Sequence, residues 1–441
     1  MIVGLPPAAS HLRSLARLES LALRGMKLGL AAIDALCERL LRPERRVPSI
    51  LVAGTNGKGS TAATLSAIAR ACGLRAGLYT SPHLIRVTER VRIEETDISE
   101  EELDAALGRV FSAADAQPQI PATYFEALTA AAFVLFEERS LDLAILEVGL
   151  GGRFDATNVA PAELSLVTSI GLDHTAELGP TLDSIAREKA GVFRPGKPAL
   201  SCTDSPRAMA ALKAASEAAG ALWHEAPQEL LLSEVETSLS GTRFALATPL
   251  RSLRLATTLP GRHQAWNAAL AVRAAELLPE RFPRLSEAVL ARGVASVRWP
   301  GRLELVRSRD RSILLDGCHN PQGAAALAAF LQEIGLAGRC RLVFGAMADK
   351  PIEEMAQRLF PLASLVTLVP APSARAATSQ ELARRIGSFA ESARVASSLE
   401  EALEDLLREE DAEPIIVAGS LYLVGQARLF LLEGGSGRGR S

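Results

Sequence analysis

The chain has 441 residues, 48% of them apolar, and a formal net charge of −3. Such a length exceeds what one hydrophobic core normally supports and predicts two domains, while the near-neutral balance gives no reason to expect nucleic acid or an anionic membrane as partner. Five cysteines, odd in number and never in C-x-x-C spacing, argue against a zinc cage or disulfide framework, and the longest apolar run, Ala127 to Phe136, is too short to span a bilayer. With no signal-peptide pattern at Met1-Ile-Val-Gly-Leu-Pro, a soluble, cytoplasmic protein is expected, and a monomer.

Residues 8–41 predict two amphipathic helices separated near Gly25-Met26-Lys27-Leu28-Gly29. The apolar run Ile50 to Ala53 predicts a buried strand, and the turn Gly54-Thr-Asn-Gly-Lys-Gly-Ser60 empties into a helix from Thr61. A second strand, Ala76 to Thr80, is stopped by Ser81-Pro82. Helices at 99–115 and 123–138 precede strands at 141–148 and 164–170. Strands alternating with helices at this spacing indicate a parallel α/β sheet covered on both faces. A capped helix follows, Thr181 to Gly191, and then the rhythm changes. A helix at 206–219 and short alternating segments at 228–258 predict a small antiparallel appendage, after which Gly261 opens another helix with Asn267 in its early turns. The Pro-Gly pair within Val297 to Arg302 punctuates the chain. It divides a first domain, residues 1–297, from a second, Rossmann-like domain, residues 298–433, with strands near 312–316, 340–345, 364–369, 392–396 and 414–418. Residues 434–441 are expected to be a flexible tail.

Strand, glycine-rich loop and helix together aim backbone N–H groups and a positive helix end at one point, which suits a phosphate. Gly54, Gly57 and Gly59 permit positive φ and close approach. Lys58 supplies a charge for phosphate oxygens, and Ser60 or Thr61 a hydroxyl near Mg²⁺. The strict Walker pattern fails twice, since Val52 stands at the first glycine position and Gly59 follows the lysine; a plain strand-to-helix turn is the alternative. Glu147 ends a buried strand at the sheet edge where ligands bind, placed to hold Mg²⁺, or else satisfied by neighbouring N–H groups. His174, after Asp173, ends the next strand in the same way, though a lone histidine is commonly structural. Lys189 in a last helical turn ordinarily serves the helix dipole. Asp316 closes a strand where it could reach a ribose or a metal, or cap the next helix.

Seven segments occur together in order: Gly54 to Thr61, Tyr79-Thr-Ser-Pro-His-Leu84, Glu147 to Asn158, Thr168 to Thr175, Glu188-Lys-Ala-Gly-Val-Phe193, Asp316-Gly-Cys-His-Asn-Pro321 and Gly419 to Gly425. Their joint order closely resembles the folylpolyglutamate synthase/dihydrofolate synthase family of Mur-type ligases, over nearly the whole chain and weakest in 200–258. The resemblance implies a Mur-ligase-like two-domain fold, with ATP phosphates held by Thr55, Asn56, Gly57, Lys58, Gly59 and Ser60. It assigns Ser81, Glu147 and His174 to Mg²⁺, and it implies that Lys189 is carbamylated and helps to hold a second Mg²⁺. Asn267, Arg302 and Asp316 match nucleotide contacts. Thr123, Tyr124, Phe125 and Glu126, with Phe154, Asp155 and Ala156, match the segments that hold the pterin substrate. Cys318 replaces the usual alanine of its motif, and Met26-Lys27-Leu28 fits the family's N-terminal pterin segment only loosely.

The implied chemistry is attack by a substrate carboxylate on the γ-phosphoryl of MgATP, giving an acyl phosphate that L-glutamate then converts to an amide. Lys58 and two Mg²⁺ offset the repulsion between anions, and closure of the second domain keeps water from the anhydride. His319 is a candidate for contacting the acyl phosphate or the incoming glutamate. Dihydropteroate and reduced folates are the implied acceptors. The competing readings are folate extension alone, a different Mur-type amino-acid ligase, and an ATP-dependent switch protein without catalysis.

Overall fold

The computed structural model describes residues 12–22, 29–308, 310–409 and 413–434. Met26-Lys27-Leu28 and the tail beyond 434 lie outside them. Three sheets organise the described residues. The largest contains β1 (Ser49–Ala53), β2 (Ala76–Tyr79), β3 (Val91–Ile93), β4 (Thr96–Asp97), β5 (Leu143–Glu147), β6 (Leu164–Val167), β7 (Pro198–Ser201) and β8 (Leu222–Glu225), in the order β4-β3-β2-β5-β1-β6-β7-β8. All pairings are parallel except β2–β3 and β3–β4.

β1 is buried along its whole length and sits between β5 and β6, with Val52 beside Glu147 and Ala53 beside Val167. The two faces of this strand feed different cores because side chains alternate along it. Ile50 and Val52 pack with the helices Lys58–Ala71, Arg262–Glu276 and Glu287–Ser296. Leu51 and Ala53 pack with the helices on the opposite side, among them Glu100–Asp115 and Tyr124–Glu138. Tyr124–Glu138 is buried from Glu126 to Phe136, which explains its unbroken apolar run: a helix enclosed on all sides needs no polar face.

The antiparallel appendage comprises β9 (Leu231–Ser238), β10 (Gly241–Ala247) and β11 (Ser252–Thr257). Beyond Ser296 the chain enters a six-stranded sheet of β12 (Glu304–Ser308), β13 (Arg311–Asp316), β14 (Arg341–Phe344), β15 (Leu365–Leu368), β16 (Arg394–Val395) and β17 (Ile415–Ala418), ordered β12-β13-β17-β14-β15-β16. Only β12 runs antiparallel to its neighbour. Five strands were not anticipated: β3, β4, β7, β8 and β12. The helix after the phosphate loop begins at Lys58 rather than Thr61. Among the described residues no helix is long and apolar enough to cross a membrane.

Candidate active site

The C-terminal ends of β1, β5 and β6 open into a cavity of about 1080 Å³ that is walled on its far side by the six-stranded sheet's loops. Gly57 takes φ +84° at the start of the helix Lys58–Ala71, and a side chain there would collide with Asn267 Oδ1. Gly59, by contrast, is helical; its smallness admits the Trp299 ring, so close packing rather than positive φ explains it. Ser60 lines the cavity while Thr61 is fully buried, which leaves Ser60 as the hydroxyl available to a ligand. Thr55 is fixed from β6's side, exchanging hydrogen bonds between its Oγ1 and the Gly171 backbone.

Lys58 and Lys189 converge on this loop. Lys58 Nζ donates to the Thr55 carbonyl at 3.1 Å and Lys189 Nζ to the Gly54 carbonyl at 2.8 Å. Lys189 therefore turns inward instead of serving its own helix end. It is 5% exposed, and burial together with the nearby Lys58 charge pushes its ammonium down to about 7. Glu147 is also buried; its Oε2 accepts the Ser81 backbone N–H at 3.2 Å. Burial pushes its carboxyl up, against the charge of Lys58 and the hydrogen bond from Ser81. His174 lines the same wall in a left-handed conformation, its imidazole held down in pKa by burial. Among the described residues no group of three or more His, Cys, Asp or Glu converges as a metal cage.

The second sheet supplies the opposite wall. Asp316 Oδ1 accepts from Cys318 N–H and Oδ2 from Leu303 N–H, both at 3.0 Å. It braces its own turns; Asn320, through Gly323 N–H, is what caps the next helix, Pro321–Glu333. Arg302 lies against Gly317 on the cavity wall. His319 faces Asp173 at 3.6 Å, and Asp173 also pairs with Lys350 at 2.6 Å and accepts from Asn320 at 3.1 Å. Burial alone would raise the Asp173 carboxyl, but His319 and Lys350 outweigh it and hold it well below the usual carboxylate range. Asn56 exchanges amide hydrogen bonds with Asn320 and donates to Gln322, so its side chain is engaged by the second sheet's helix. Asp173, Lys350, Asn320 and Gln322 thus form a polar seam across the cavity mouth. None of the four was assigned a role from the sequence; their partners are more than a hundred residues away.

At the other end, the expected pterin segments behave unequally. Phe125 lines the cavity, with its ring 6.0 Å from that of Tyr79. Tyr124 is not among the lining residues; its ring lies 5.3 Å from the Arg90 guanidinium. Thr123 and Glu126 form a capping box, Glu126 Oε2 accepting from both Thr123 N–H and Thr123 Oγ1. Asp155 accepts from Leu150 N–H, Thr157 N–H and Thr157 Oγ1, capping the turn Ala156–Val159. Phe154 is 44% exposed at the rim and Ala156 is buried on the wall. Two of the expected pterin contacts, Glu126 and Asp155, therefore spend hydrogen-bonding capacity on their own loops.

The Mur ligase middle domain matches residues 52–275, and the Mur ligase glutamate ligase domain matches residues 301–421. The chain is 34% identical to the dihydrofolate synthase/folylpolyglutamate synthase of Bacillus subtilis (strain 168), covering 92% of this chain and 95% of that one. It is also 34% identical to the folylpolyglutamate synthase of Lacticaseibacillus casei, over 92% and 94%. The solved structure of E. coli FolC in complex with DHPP and ADP superposes with a TM-score of 0.87 at 34% identity, over 98% of this chain and all of that one. With both Mur ligase domains matched, the fold shared and full-length relatives above 30% identity, the chain belongs to the dihydrofolate synthase/folylpolyglutamate synthase family of Mur-type, ATP-dependent ligases that form carbon–nitrogen bonds.

Proposed function

We propose that this protein joins L-glutamate to dihydropteroate, making dihydrofolate, and to the glutamyl chain of reduced folates. The observation that carries this reading is one cavity with a phosphate loop, Lys58 and buried Lys189 at one end and an aromatic recess with Phe125 and Phe154 at the other. The FolC structure with DHPP and ADP supports it, since that relative takes a nucleotide and DHPP together.

In this reading the acceptor's carboxylate attacks the γ-phosphorus of ATP, the bond to the β-phosphate oxygen breaks, and ADP leaves. The amino nitrogen of glutamate then attacks the acyl carbon, loses a proton, and phosphate departs. Lys58 and the N–H groups opening the helix Lys58–Ala71 stabilise charge on the transferring oxygens. Asn267, Arg302 and Asp316 border the nucleotide. The seam of Asp173, Lys350 and Asn320 holds the second domain over the reactive anhydride and excludes water. His319, beside it, faces the acyl group or glutamate.

Glu147, Ser81 and His174 fit Mg²⁺. A buried carboxylate with a single N–H partner retains acceptor capacity, and this ion takes few protein ligands, keeping waters and phosphate oxygens. Bound there, Mg²⁺ would neutralise phosphate charge. A carbamylated Lys189 would convert a cation into a ligand for a second Mg²⁺; its lowered pKa leaves much of the amine neutral near pH 7, the form that can take up carbon dioxide. A monomeric, cytoplasmic enzyme completes the reading; the five free cysteines support a reducing compartment.

The narrower alternative, folate extension alone, is favoured by one observation: Tyr124 and Asp155 are occupied within the protein. Release of ADP with dihydropteroate or tetrahydrofolate, each with and without glutamate, decides. Glutamate-dependent release with both is expected. Release with tetrahydrofolate only would leave the narrower reading, and none with either would sink both.

A further inference from the structure

Arg90 is a buried cation on the cavity wall with no carboxylate bonded to it among the described residues. It ends the short turn Val87–Arg90 and runs into β3, and its carbonyl accepts the Thr80 N–H at 2.9 Å, which fixes it beside the C-terminal end of β2. Only 9% of it is exposed. Its Nε donates to His83 Nδ1 at 2.9 Å and the Tyr124 ring lies 5.3 Å from its guanidinium carbon. His83 accepts that bond through Nδ1 and, as an imidazole, brings no negative counter-charge. Among the described residues no carboxylate pairs with Arg90, and its two Nη groups donate to no protein oxygen.

The other two buried cations on the wall are satisfied: Lys189 donates to a backbone carbonyl and Lys350 to Asp173. Arg90 instead keeps its Nη groups on the cavity wall, where a ligand anion can take up a charge-assisted pair. The planar fork of Arg90 suits a carboxylate in particular. Its place narrows the choice further. On one side its charge reaches Glu147, at the phosphate end; on the other lie Tyr124 and the recess lined by Phe125.

We propose that Arg90 binds the carboxylate of the pterin-bearing acceptor, between the recess and the phosphate end. The proposal rests on dihydropteroate being a substrate. Dihydropteroate carries its heterocycle at one end and a single carboxylate at the other, so a cation between the two sites meets that carboxylate. Holding one carboxylate oxygen leaves the other free to attack phosphorus. His83 and Tyr124 act as a brace that aims the guanidinium.

The test compares dihydropteroate with its decarboxylated analogue, which keeps both ring systems and carries hydrogen in place of the carboxylate. Dissociation constants are measured for wild type, Arg90→Gln, Arg90→Lys and His83→Ala, with ADP binding as a check on folding. Arg90→Gln is expected to weaken dihydropteroate by about 10- to 100-fold, the worth of a hydrogen bond to a charged group, while the analogue and ADP stay within about twofold. His83→Ala, which leaves the Nη groups in place, is expected to lose much less. Should Arg90→Gln also lose ADP, Arg90→Lys carries the test: it keeps the charge and loses the fork, and its loss must again fall on dihydropteroate selectively. Equal losses for dihydropteroate and analogue, no loss for either, or a full loss in His83→Ala would overturn the assignment while leaving the function intact. A wild type that binds ADP but not dihydropteroate would instead remove the substrate reading, and the Arg90 assignment with it.

Discussion

At the phosphate end of the cavity the loop's own backbone does most of the work. Its shape is set by Gly57, by the start of a helix at Lys58, and by two lysines that bond to the loop's carbonyls. At the recess end the polar side chains are largely braces. Glu126 caps a helix, Asp155 caps a turn, and Tyr124 leans on Arg90 instead of lining the cavity. A phosphate can be held by backbone groups whose positions follow from secondary structure. A flat heterocycle needs side chains of chosen shape, and those must themselves be held in place.

The largest effect should therefore come from the phosphate end. Lys58→Ala removes the loop's side-chain cation, and turnover should fall by about 10²-fold or more, with folding intact by thermal melt. Near-normal turnover would mean that this loop is not where phosphoryl transfer occurs. Next is Lys189. Its alanine variant should lose on the order of 10²-fold in rate, and Lys189→Arg should fail to restore it, because a guanidinium keeps the cation but forms no carbamate. An arginine variant of full activity would end the carbamate assignment; intact-mass measurement of the wild type checks for the added carboxylate independently.

The recess offers a sharper contrast between neighbours. Asp155→Ala deletes a buried acceptor of three hydrogen bonds and should lower stability by about 1–3 kcal/mol, visible as a drop in Tm. Phe154→Ala, at an exposed rim position, should leave Tm nearly unchanged and raise KM for dihydropteroate by roughly threefold to tenfold. It should do so more than for tetrahydrofolate if the two substrates sit differently. The reverse pattern would make Phe154 the brace and Asp155 the contact.

The smallest effect is in pH dependence. Burial and then the Arg90 charge push His83 down to about 3 from the ordinary 6.5. Between these values the unfolded chain binds a proton that the folded chain does not, so stability should decline as pH falls from about 6.5 toward 3. His83→Asn should make that decline shallower. An equal loss of unfolding free energy between pH 7 and pH 5 in wild type and His83→Asn, measured by urea titration, would show that His83 is not held neutral.

What sequence by itself determined were features encoded within a few residues. The strand, loop and helix from Ser49 onward, the capped helix starts at Thr123 and Thr181, and the placement of Glu147 at a strand end were all legible, because local sterics and hydrogen bonding decide them. The five unanticipated strands lacked that local signal. β3 and β4 are three and two residues long, and β12 is a half-exposed edge. Tertiary structure alone decided which side chains remain available to a ligand. Asp173 meets Lys350 across 177 residues of chain. No motif in the sequence singles out Arg90. Only folding buries it, gives it a histidine for a neighbour, and leaves it with no bonded carboxylate among the described residues on the cavity wall.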